Sequence, residues 1–322
     1  MDNINWGIIS TAKIGIEKVI PAIQAAENCT VTAIASRTIS KAEEAATNLG
    51  IPKSYGSYEE LLADSSVDAV YNPLPNHLHV PTTIEALEAG KHVLCEKPIA
   101  MDAKEAHKLI EVSKEYPSLK VMEAFMYRFH PQWVRAKSMV ENDEIGQLQT
   151  IESFFSYYND DPKNIRNKAD FGGGGLMDIG CYCISLSRYL FGGEPTNILG
   201  SWKIDQQYGT DYLASGILTF DSGTATFTCS TKADSAQRVN IVGTQGRIVI
   251  EIPFNAPVGD KTRIYFYKKK EKEEIEFKAV NQYTIQAHEF AKSILNDLPV
   301  PFPLKDAVNN MKAIDAFRDS AR

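Results

Sequence analysis

The sequence predicts an α/β protein of two domains, in which a doubly wound parallel sheet is followed by an α+β domain rich in strands. Three observations lead to this prediction. The chain of 322 residues is too long for one small core. In its first third, short apolar runs alternate regularly with helical patterns. From residue 198 onward strand patterns dominate, and polar, glycine-containing turns separate them.

The first third has the pattern of a Rossmann-like domain. Ser40–Glu43 and Ser57–Glu60 both match a capping box at a helix start, and Pro21 should kink the first helix or mark its first fully bonded turn. The predicted strands are residues 5–9, 30–35, 67–72, 92–95 and 120–124, with helices ending near 26, starting at 40 and 57, and covering 80–89 and 102–115. Such alternation predicts a parallel, right-handed, doubly wound sheet.

The alternation ends with the strand 120–124 and the pattern changes from Arg128, so we place the domains at 1–124 and 125–322. The turns Asp221-Ser222-Gly223 and Thr244-Gln245-Gly246 predict hairpins, and the charged run 268–274 predicts a solvated hairpin turn. Helices are predicted at 131–141, 176–190, 283–295 and 304–320, and strands at 148–157, 198–204, 212–220, 224–230, 238–242, 247–251, 263–267 and 274–277.

Composition excludes several classes of partner. The net charge of −7 argues against binding to nucleic acid, which requires a basic surface. No apolar run approaches the length of a membrane span. The five cysteines are scattered without a disulfide framework, and the six histidines without a metal-binding pattern. We therefore expect a soluble, cytoplasmic protein without a metal site.

The turn after the first strand is where a dinucleotide pyrophosphate would lie. The usual G-x-G-x-x-G fingerprint is reduced here to Ser10, Ala12 and Gly15 in the three glycine positions. Serine and alanine are small enough for backbone N–H groups to approach a phosphate, and Ser10 and Thr11 add hydroxyl donors. The alternative is an ordinary tight turn between strand and helix.

The end of the second strand distinguishes the two nicotinamide cofactors. NAD-binding domains usually place a carboxylate there for the ribose 2′-hydroxyl, whereas NADP-binding domains accommodate the 2′-phosphate with arginine. This chain has Ser36 and Arg37 at that point, and the next carboxylate is Glu43. We therefore predict NADP, with NAD as the alternative. A solvated arginine without a ligand would show the same pattern.

Two further segments fall at the carboxyl edge of the predicted sheet, where ligands bind in such folds. The loop 72–79 contains two prolines and should cover a nicotinamide, with Asn76 and His79 as polar contacts; His79 could instead cap the following helix. The strand ending in Glu96-Lys97-Pro98 places an ionisable pair at a rigid corner. That pair is either an active-site corner or a surface salt bridge.

Three motifs together resemble one family. They are Pro75-Asn76-x-x-His79, the segment 89–98 ending in Glu96-Lys97-Pro98, and the segment 123–131, and the resemblance continues through 172–182 and 190–195. The family is that of glucose–fructose oxidoreductase and inositol dehydrogenase, written Gfo/Idh/MocA. The resemblance covers nearly the whole chain. It implies an open-faced, mainly antiparallel sheet in the second domain, whose free face forms a homodimer or homotetramer.

Many inositol-type members carry histidine in an Asp-x-x-x-His arrangement, whereas this chain has Asp178 and Tyr182. It is therefore more similar to the branch of glucose–fructose oxidoreductase, dimeric dihydrodiol dehydrogenase and NADP-dependent D-xylose dehydrogenase. The resemblance implies NADP-dependent oxidation or reduction of a sugar, polyol or vicinal diol. A non-enzymatic sugar or nucleotide sensor of the same fold is an alternative, as is an enzyme that holds and recycles its NADP internally.

The resemblance also implies roles for individual residues. Tyr182 and Lys97 would share the proton exchange, with either as the direct acid or base, and Asp178 would bind a neighbouring substrate hydroxyl. Arg166, in a polar loop, could reach an anionic or hydroxylated ligand or remain solvated. The expected cofactor-binding residues are Ser10, Thr11, Ala12, Ile14, Ser36, Arg37, Leu74, Pro75, Asn76, His79, Glu96, Lys97 and Arg166. Aromatic residues near these motifs leave an aromatic trans-diol as an alternative to a sugar; they are Phe125, Tyr127, Phe129, Tyr157 and Tyr158.

Overall fold

The computed structural model describes residues 2–321, and the chain divides into two compact units. The first unit runs to Met126 and includes Tyr283–Val308, and the second begins at Tyr127 and includes Asn309 and the residues after it. The boundary was predicted after residue 124, and the chain passes between units after Met126. The return of 283–308 to the first unit differs from the predicted domain division.

Residues 283–308 belong to the first unit because side chains among them contact its core. Phe290 packs on the fully buried Trp6, with ring centroids 5.7 Å apart, and the hydroxyl of Thr284 donates to the carbonyl of Ala22 at 3.1 Å. A helix at the end of the chain therefore covers a face of the first sheet. The sequence showed this helix but not the surface on which it packs.

Nine α-helices and fourteen strands occur between residues 2 and 321. The helices are α1 Ile20–Gln24, α2 Ile39–Leu49, α3 Tyr58–Ala63, α4 His79–Glu88, α5 Ala103–Ser113, α6 Pro131–Glu141, α7 Cys181–Phe191, α8 Gln282–Leu295 and α9 Leu304–Ser320. The strands are β1 Ile4–Ile9, β2 Cys29–Ala35, β3 Lys53–Tyr55, β4 Ala69–Asn72, β5 His92–Cys95, β6 Val121–Glu123, β7 Leu148–Tyr158, β8 Asn197–Ile204, β9 Asp211–Phe220, β10 Gly223–Ser230, β11 Lys232–Gly243, β12 Gly246–Ile250, β13 Thr262–Lys268 and β14 Glu271–Phe277.

The first unit contains a six-stranded sheet in the order β3-β2-β1-β4-β5-β6, with every neighbouring pair parallel. This confirms the predicted doubly wound fold. The short edge strand β3 was not predicted, because its three residues carry no apolar run. Its pairing with β2 is continued by Ser36 N–H, which donates to the carbonyl of Tyr55 at 3.1 Å.

The two predicted capping boxes have different outcomes. The hydroxyl of Ser57 accepts from the N–H of Glu60 at the start of α3, which confirms that cap. The cap predicted at Ser40 is wrong, because α2 begins at Ile39 and Thr38 occupies the N-cap without a side-chain hydrogen bond. The chain enters this helix from extended backbone at Thr38, so Ser40 is already helical.

The second unit contains an eight-stranded sheet in the order β14-β13-β12-β11-β7-β10-β9-β8. Neighbouring strands are antiparallel except the pair β7 and β10, which is parallel. The hairpins predicted around residues 221–223, 244–246 and 268–274 are present. Along β10, Ala225, Phe227 and Cys229 are buried while Thr224 and Thr226 are exposed, so one face is covered and the other open.

Two segments predicted as continuous helix contain a wider, π-helical turn. Gly15–Val19 leads into α1 and Leu176–Gly180 leads into α7. In the first case Pro21, within the first turn of α1, has no N–H to donate to the carbonyl four residues earlier. None of the helices within residues 2–321 combines the length and apolar character needed to cross a membrane.

Candidate active site

The turn after β1 has left-handed backbone at Ser10, the position of the first fingerprint glycine. Ser10 has a φ of 74°, in the left-handed region that glycine usually supplies, and its hydroxyl accepts from the N–H of Ala12 at 3.2 Å. Thr11, Ala12 and Ile14 are half-buried beside it. The side-chain hydrogen bond of Ser10 offsets part of the cost of its backbone conformation, about 1–2 kcal/mol.

The end of β2 carries the two residues expected to read the cofactor phosphate. Ser36 is buried and its hydroxyl accepts from the N–H of Thr38 at 3.4 Å, whereas Arg37 is exposed. Burial raises the pKa of the Tyr58 phenol, and the neighbouring Arg37 guanidinium opposes this rise. The Arg37 side chain therefore lies beside Tyr58, at the exposed edge following β2.

The loop after β4 is organised by a buried asparagine. Asn72 is fully buried; its side-chain amide donates to the carbonyl of His79 at 3.2 Å and to the hydroxyl of Thr83 at 3.3 Å. Its oxygen accepts from the N–H of Leu74 at 3.3 Å. The chain is thereby fixed against α4, and Pro75 and Asn76 remain half-buried at the turn.

His79 does not play either of its expected roles. Its side chain is 1% exposed, and Nδ1 and Nε2 lie 2.7 Å from the carbonyl oxygens of Pro98 and Leu74 respectively. It makes no capping hydrogen bond, because it is the first residue of α4 and Leu78 occupies the N-cap. Burial lowers its pKa to about 4. We assign His79 to the scaffold, where it joins the loop after β4 to the corner after β5.

The corner at residues 96–99 is held by buried side chains. The hydroxyl of Tyr71 donates to Oε1 of Glu96 at 2.6 Å, and the N–H of Ile99 donates to Oε1 of Glu123 at 2.7 Å. The N–H of Lys97 lies 3.3 Å from Oε2 of Glu96, and the Lys97–Pro98 peptide is cis. Glu96 and Lys97 are both half-buried. This burial favours an ordered, partly buried corner over a surface salt bridge.

Tyr71 was not singled out from the sequence. It is fully buried in β4, and desolvation raises its pKa well above the ordinary value, with Glu96 adding to the rise. A sequence signal did exist. A tyrosine in a strand predicted to be buried needs a partner for its hydroxyl, and Glu96 follows the neighbouring strand.

The second unit holds the other candidate residues. Oδ2 of Asp178 accepts from the hydroxyl of Tyr157 at 2.6 Å and from Nε of Arg166 at 2.8 Å. Asp178 lies in the π-helical turn before α7, and Tyr157 lies near the end of β7. Arg166 was expected among the cofactor-binding residues, and the others of that group lie in the first unit. The structure places it with Asp178.

Tyr182 lies on α7, one helical turn after Asp178, and is 5% exposed. Its ring packs in an aromatic cluster with centroid distances of 5.7 Å to Tyr127, 5.9 Å to Phe155 and 5.3 Å to Phe254. Tyr127 was considered as a contact for an aromatic substrate, but it is fully buried and supports the Tyr182 ring instead.

Asp211 anchors the start of the helical segment that carries Asp178 and Tyr182. Its Oδ2 accepts from the N–H of Leu176 at 2.7 Å, and it is 7% exposed. Burial raises its pKa to about 6, opposed by backbone donors including Leu176. A side chain at Gly174, which has a φ of 114°, would collide with this carboxylate.

Comparison with known proteins identifies the family. Residues 4–125 match the model described as an oxidoreductase family with an NAD-binding Rossmann fold, and residues 133–249 match the GFO/IDH/MocA C-terminal domain. An uncharacterised oxidoreductase of Rhizobium meliloti is 42% identical, covering 100% of this chain and 98% of the relative. The chain belongs to the Gfo/Idh/MocA oxidoreductase family.

Two relatives in this Gfo/Idh/MocA family are better described. An NADP-dependent D-xylose 1-dehydrogenase of Haloferax volcanii is 37% identical, with 98% of this chain and 97% of the relative covered. The 3-ketoreductase KijD10 of Actinomadura kijaniata, solved with NADP and TDP-benzene, matches with a TM-score of 0.93 and 30% identity over 99% of this chain and 98% of that chain.

As a Gfo/Idh/MocA member, the chain is an NAD(P)-dependent oxidoreductase, as predicted. The first unit fits the cofactor. Ser10 supplies the left-handed turn in which glycine is usual, and the exposed Arg37 follows β2 where an NAD-specific domain would carry a carboxylate. Within residues 2–321, no three His, Cys, Asp or Glu side chains come together as a candidate metal site.

Proposed function

We propose that this protein is an NADP-dependent dehydrogenase or reductase acting on a secondary alcohol, or the anomeric carbon, of a sugar, sugar derivative or vicinal diol. The observation that carries the proposal is the side-chain set of the second unit. Asp178, Tyr157 and Arg166 form a polar cluster one helical turn from Tyr182. Alternating acceptors and donors of this kind suit a substrate with several hydroxyl groups.

NADP supplies the hydride acceptor or donor when bound. In the oxidative direction, the substrate carbon loses a hydride to the nicotinamide and its hydroxyl loses a proton to the protein, so that a carbonyl forms. We propose that Tyr182 takes this proton and that Lys97 stabilises the tyrosinate, with Lys97 as the alternative direct base. The two groups would titrate as one unit.

The other residues position the reactants in this proposal. Asp178, held by Tyr157 and Arg166, binds the hydroxyl beside the reacting carbon. Glu96, held by Tyr71, binds a hydroxyl of the nicotinamide ribose. Arg37 and Ser36 bind the 2′-phosphate, and the turn 10–14 lies against the pyrophosphate, with 74–76 beside the nicotinamide.

The test is a screen for NADPH formation or consumption, with aldoses, vicinal diols and keto-sugars offered singly. Steady-state turnover with one class supports the proposal and names the substrate class. Reduction of only one cofactor equivalent per protein would favour an enzyme that recycles its NADP internally. Binding of sugars without any redox change would favour a sensor. NADP and NAD are compared with the same substrate.

The proposal extends to assembly and location. On the open face of the second sheet, Leu199 and Ile217 are neighbours in register and are 55% and 45% exposed. Such a pair suits an interface, and we propose a homodimer or homotetramer formed through this face. Light scattering on wild type and Ile217→Lys tests it, since the variant should dissociate. Within residues 2–321 all five cysteines are buried and none forms a disulfide, which supports a cytoplasmic location.

A further inference from the structure

Arg166 is built into the second unit by both its main chain and its side chain. Its N–H donates to Oδ1 of Asn164 at 3.1 Å, and its carbonyl accepts from the N–H of Gly174 at 2.9 Å. A side chain at Gly173 would collide with that same carbonyl. The glycine segment 172–175 therefore leaves room for the main chain of Arg166 to pack against it. A solvated loop arginine would not require such close packing.

The side chain of Arg166 is fixed at one nitrogen only. Nε donates to Oδ2 of Asp178 at 2.8 Å, and the hydroxyl of Tyr157 shares that acceptor at 2.6 Å. A guanidinium has five N–H donors in a rigid fork. Within residues 2–321 the guanidinium makes its hydrogen bond through Nε, and the two Nη groups make none. The side chain is 41% exposed, so these donors are accessible to a ligand.

Arg166 also lies within electrostatic range of the proposed proton-exchanging residue. Its pKa is raised above the ordinary value, chiefly by Asp178 and with contributions from Tyr157 and Tyr182. Asp178 and Tyr182 are four residues apart and so are neighbours on one helical face. A substrate hydroxyl at Tyr182 would therefore have its neighbouring oxygen near Asp178 and Arg166.

The charge of the cluster indicates which oxygen it binds. Arg166 and Asp178 form an ion pair with 2.8 Å between Nε and Oδ2, so their formal charges cancel. This ion pair contributes no excess positive charge of the kind that favours a carboxylate or phosphate. It offers donors next to an acceptor, which complements a neutral hydroxyl that can accept and donate at once.

We propose that Arg166 is a specificity-determining residue that donates, through its Nη groups, to the oxygen on the carbon next to the reacting carbon, so that neutral substrates with vicinal oxygens are preferred. This inference rests on the proposed function. It assigns Arg166 to the substrate instead of the cofactor. Tyr157 is a positioning residue in it, because its hydroxyl acts only through Asp178.

The experiment compares two matched substrate pairs, D-xylose with 2-deoxy-D-xylose and D-glucose with 2-deoxy-D-glucose, in the presence of saturating NADP. For wild type we expect kcat/KM to be about ten- to a hundredfold higher for the sugar with its 2-hydroxyl, as for loss of a hydrogen bond to a charged group. Arg166→Met should lower kcat/KM for that sugar only, which brings each ratio near one. Arg166→Lys, with its charge kept, should give an intermediate ratio.

The control is Lys163→Met, which removes an exposed cation from the same loop and should leave the ratio unchanged. An Arg166→Met enzyme that loses activity equally on both members of each pair, or whose KM for NADP rises instead, overturns the inference while leaving the proposed function intact. A wild-type enzyme that turns over no sugar or diol overturns the proposed function, and the inference with it. Thermal unfolding of each variant separates these results from a loss of folded protein.

Discussion

The hydroxyl of Tyr71 donates to Oε1 of Glu96 across 2.6 Å, and this bond joins the end of β4 to the corner that follows β5. Tyr71 is fully buried, whereas Glu96 is half-buried. Burial raises the pKa of Tyr71 well above its usual range, so the phenol remains a donor at physiological pH. A rigid side chain in the core therefore fixes a carboxylate at the edge where ligands bind.

We predict that Tyr71→Phe releases this carboxylate without opening a cavity. The free energy of unfolding should fall by about 1–2 kcal/mol, because one hydrogen bond to a charged group is lost. The KM for NADP should rise more than kcat falls, since Glu96 is proposed to bind the ribose. Denaturant unfolding and steady-state kinetics measure both. Tyr116→Phe, at a half-exposed site, should change neither; equal effects from the two substitutions would refute a specific role for Tyr71.

We predict that Lys97→Met and Tyr182→Phe each lower kcat by about two to four orders of magnitude, as expected for general acid–base groups. Phenylalanine keeps the ring that packs on Tyr127, Phe155 and Phe254, so Tyr182→Phe should remain folded. Single-turnover kinetics and circular dichroism check the two statements. Lys104→Met is a matched control on the exposed side of α5. Near-normal turnover in both variants would rule out the proton-exchange proposal.

We predict that Arg37→Ala raises the KM for NADP by about tenfold or more while changing that for NAD little, because one charge-assisted contact with the 2′-phosphate is lost. The quantity to measure is the ratio of kcat/KM for the two cofactors. Lys41→Ala removes a nearby exposed charge and should leave the ratio unchanged. An unchanged preference in Arg37→Ala would show that the arginine does not read the phosphate.

A pH-dependent contribution to stability is predicted for Asp211. Burial raises its folded-state pKa to about 6 from an ordinary 3.8, so the folded state holds the proton more tightly than the unfolded state does. Its stabilising contribution is complete below the unfolded value and is lost as the pH rises through 6. Relative to wild type, Asp211→Asn should gain about 3 kcal/mol in unfolding free energy between about pH 4 and pH 7. Urea titrations across this range measure the difference, and a flat difference would contradict the shift.

The glycine segment gives a prediction about folding stability. Gly174→Ala should destabilise the protein by at least about 2 kcal/mol, because an alanine there needs a φ of 114° and collides with Asp211. Gly193→Ala is the matched control, since an added methyl group at Gly193 meets nothing within 4 Å. Thermal unfolding measures the stability of both variants. Similar unfolding temperatures would show that the segment around Gly174 tolerates a side chain.

Much of the fold was predictable because its signals are local. Pro131–Glu141 was predicted with its observed bounds, and the strand 92–95 likewise, since each has flanking sequences that end it clearly. The edge strand Lys53–Tyr55 has no such pattern and exists because β2 offers it partners. The helix containing Phe290 was predicted, but its packing on Trp6 depends on contacts between distant parts of the chain.

The candidate site shows the same division. Lys97, Asp178 and Tyr182 could be predicted as candidate catalytic residues because their motifs resemble those of a known family. His79 was misassigned, since the sequence could not show that both its ring nitrogens lie against backbone carbonyls. The pairing of Arg166 with Asp178 was missed for a related reason, because ion pairs across a glycine loop leave no periodic signal.

The central position of β7 in the second sheet has a consequence for how the chain reaches its native state. β7 comes first among the eight strands in sequence, yet its two neighbours are β10 and β11, which end at Ser230 and Gly243. On a ribosome this strand must therefore wait for its partners while the intervening chain is synthesised. Long-range pairing of this kind slows folding and leaves unpaired backbone exposed meanwhile. Synthesis rate and chaperone access should therefore govern the yield of this protein more strongly than its final stability does.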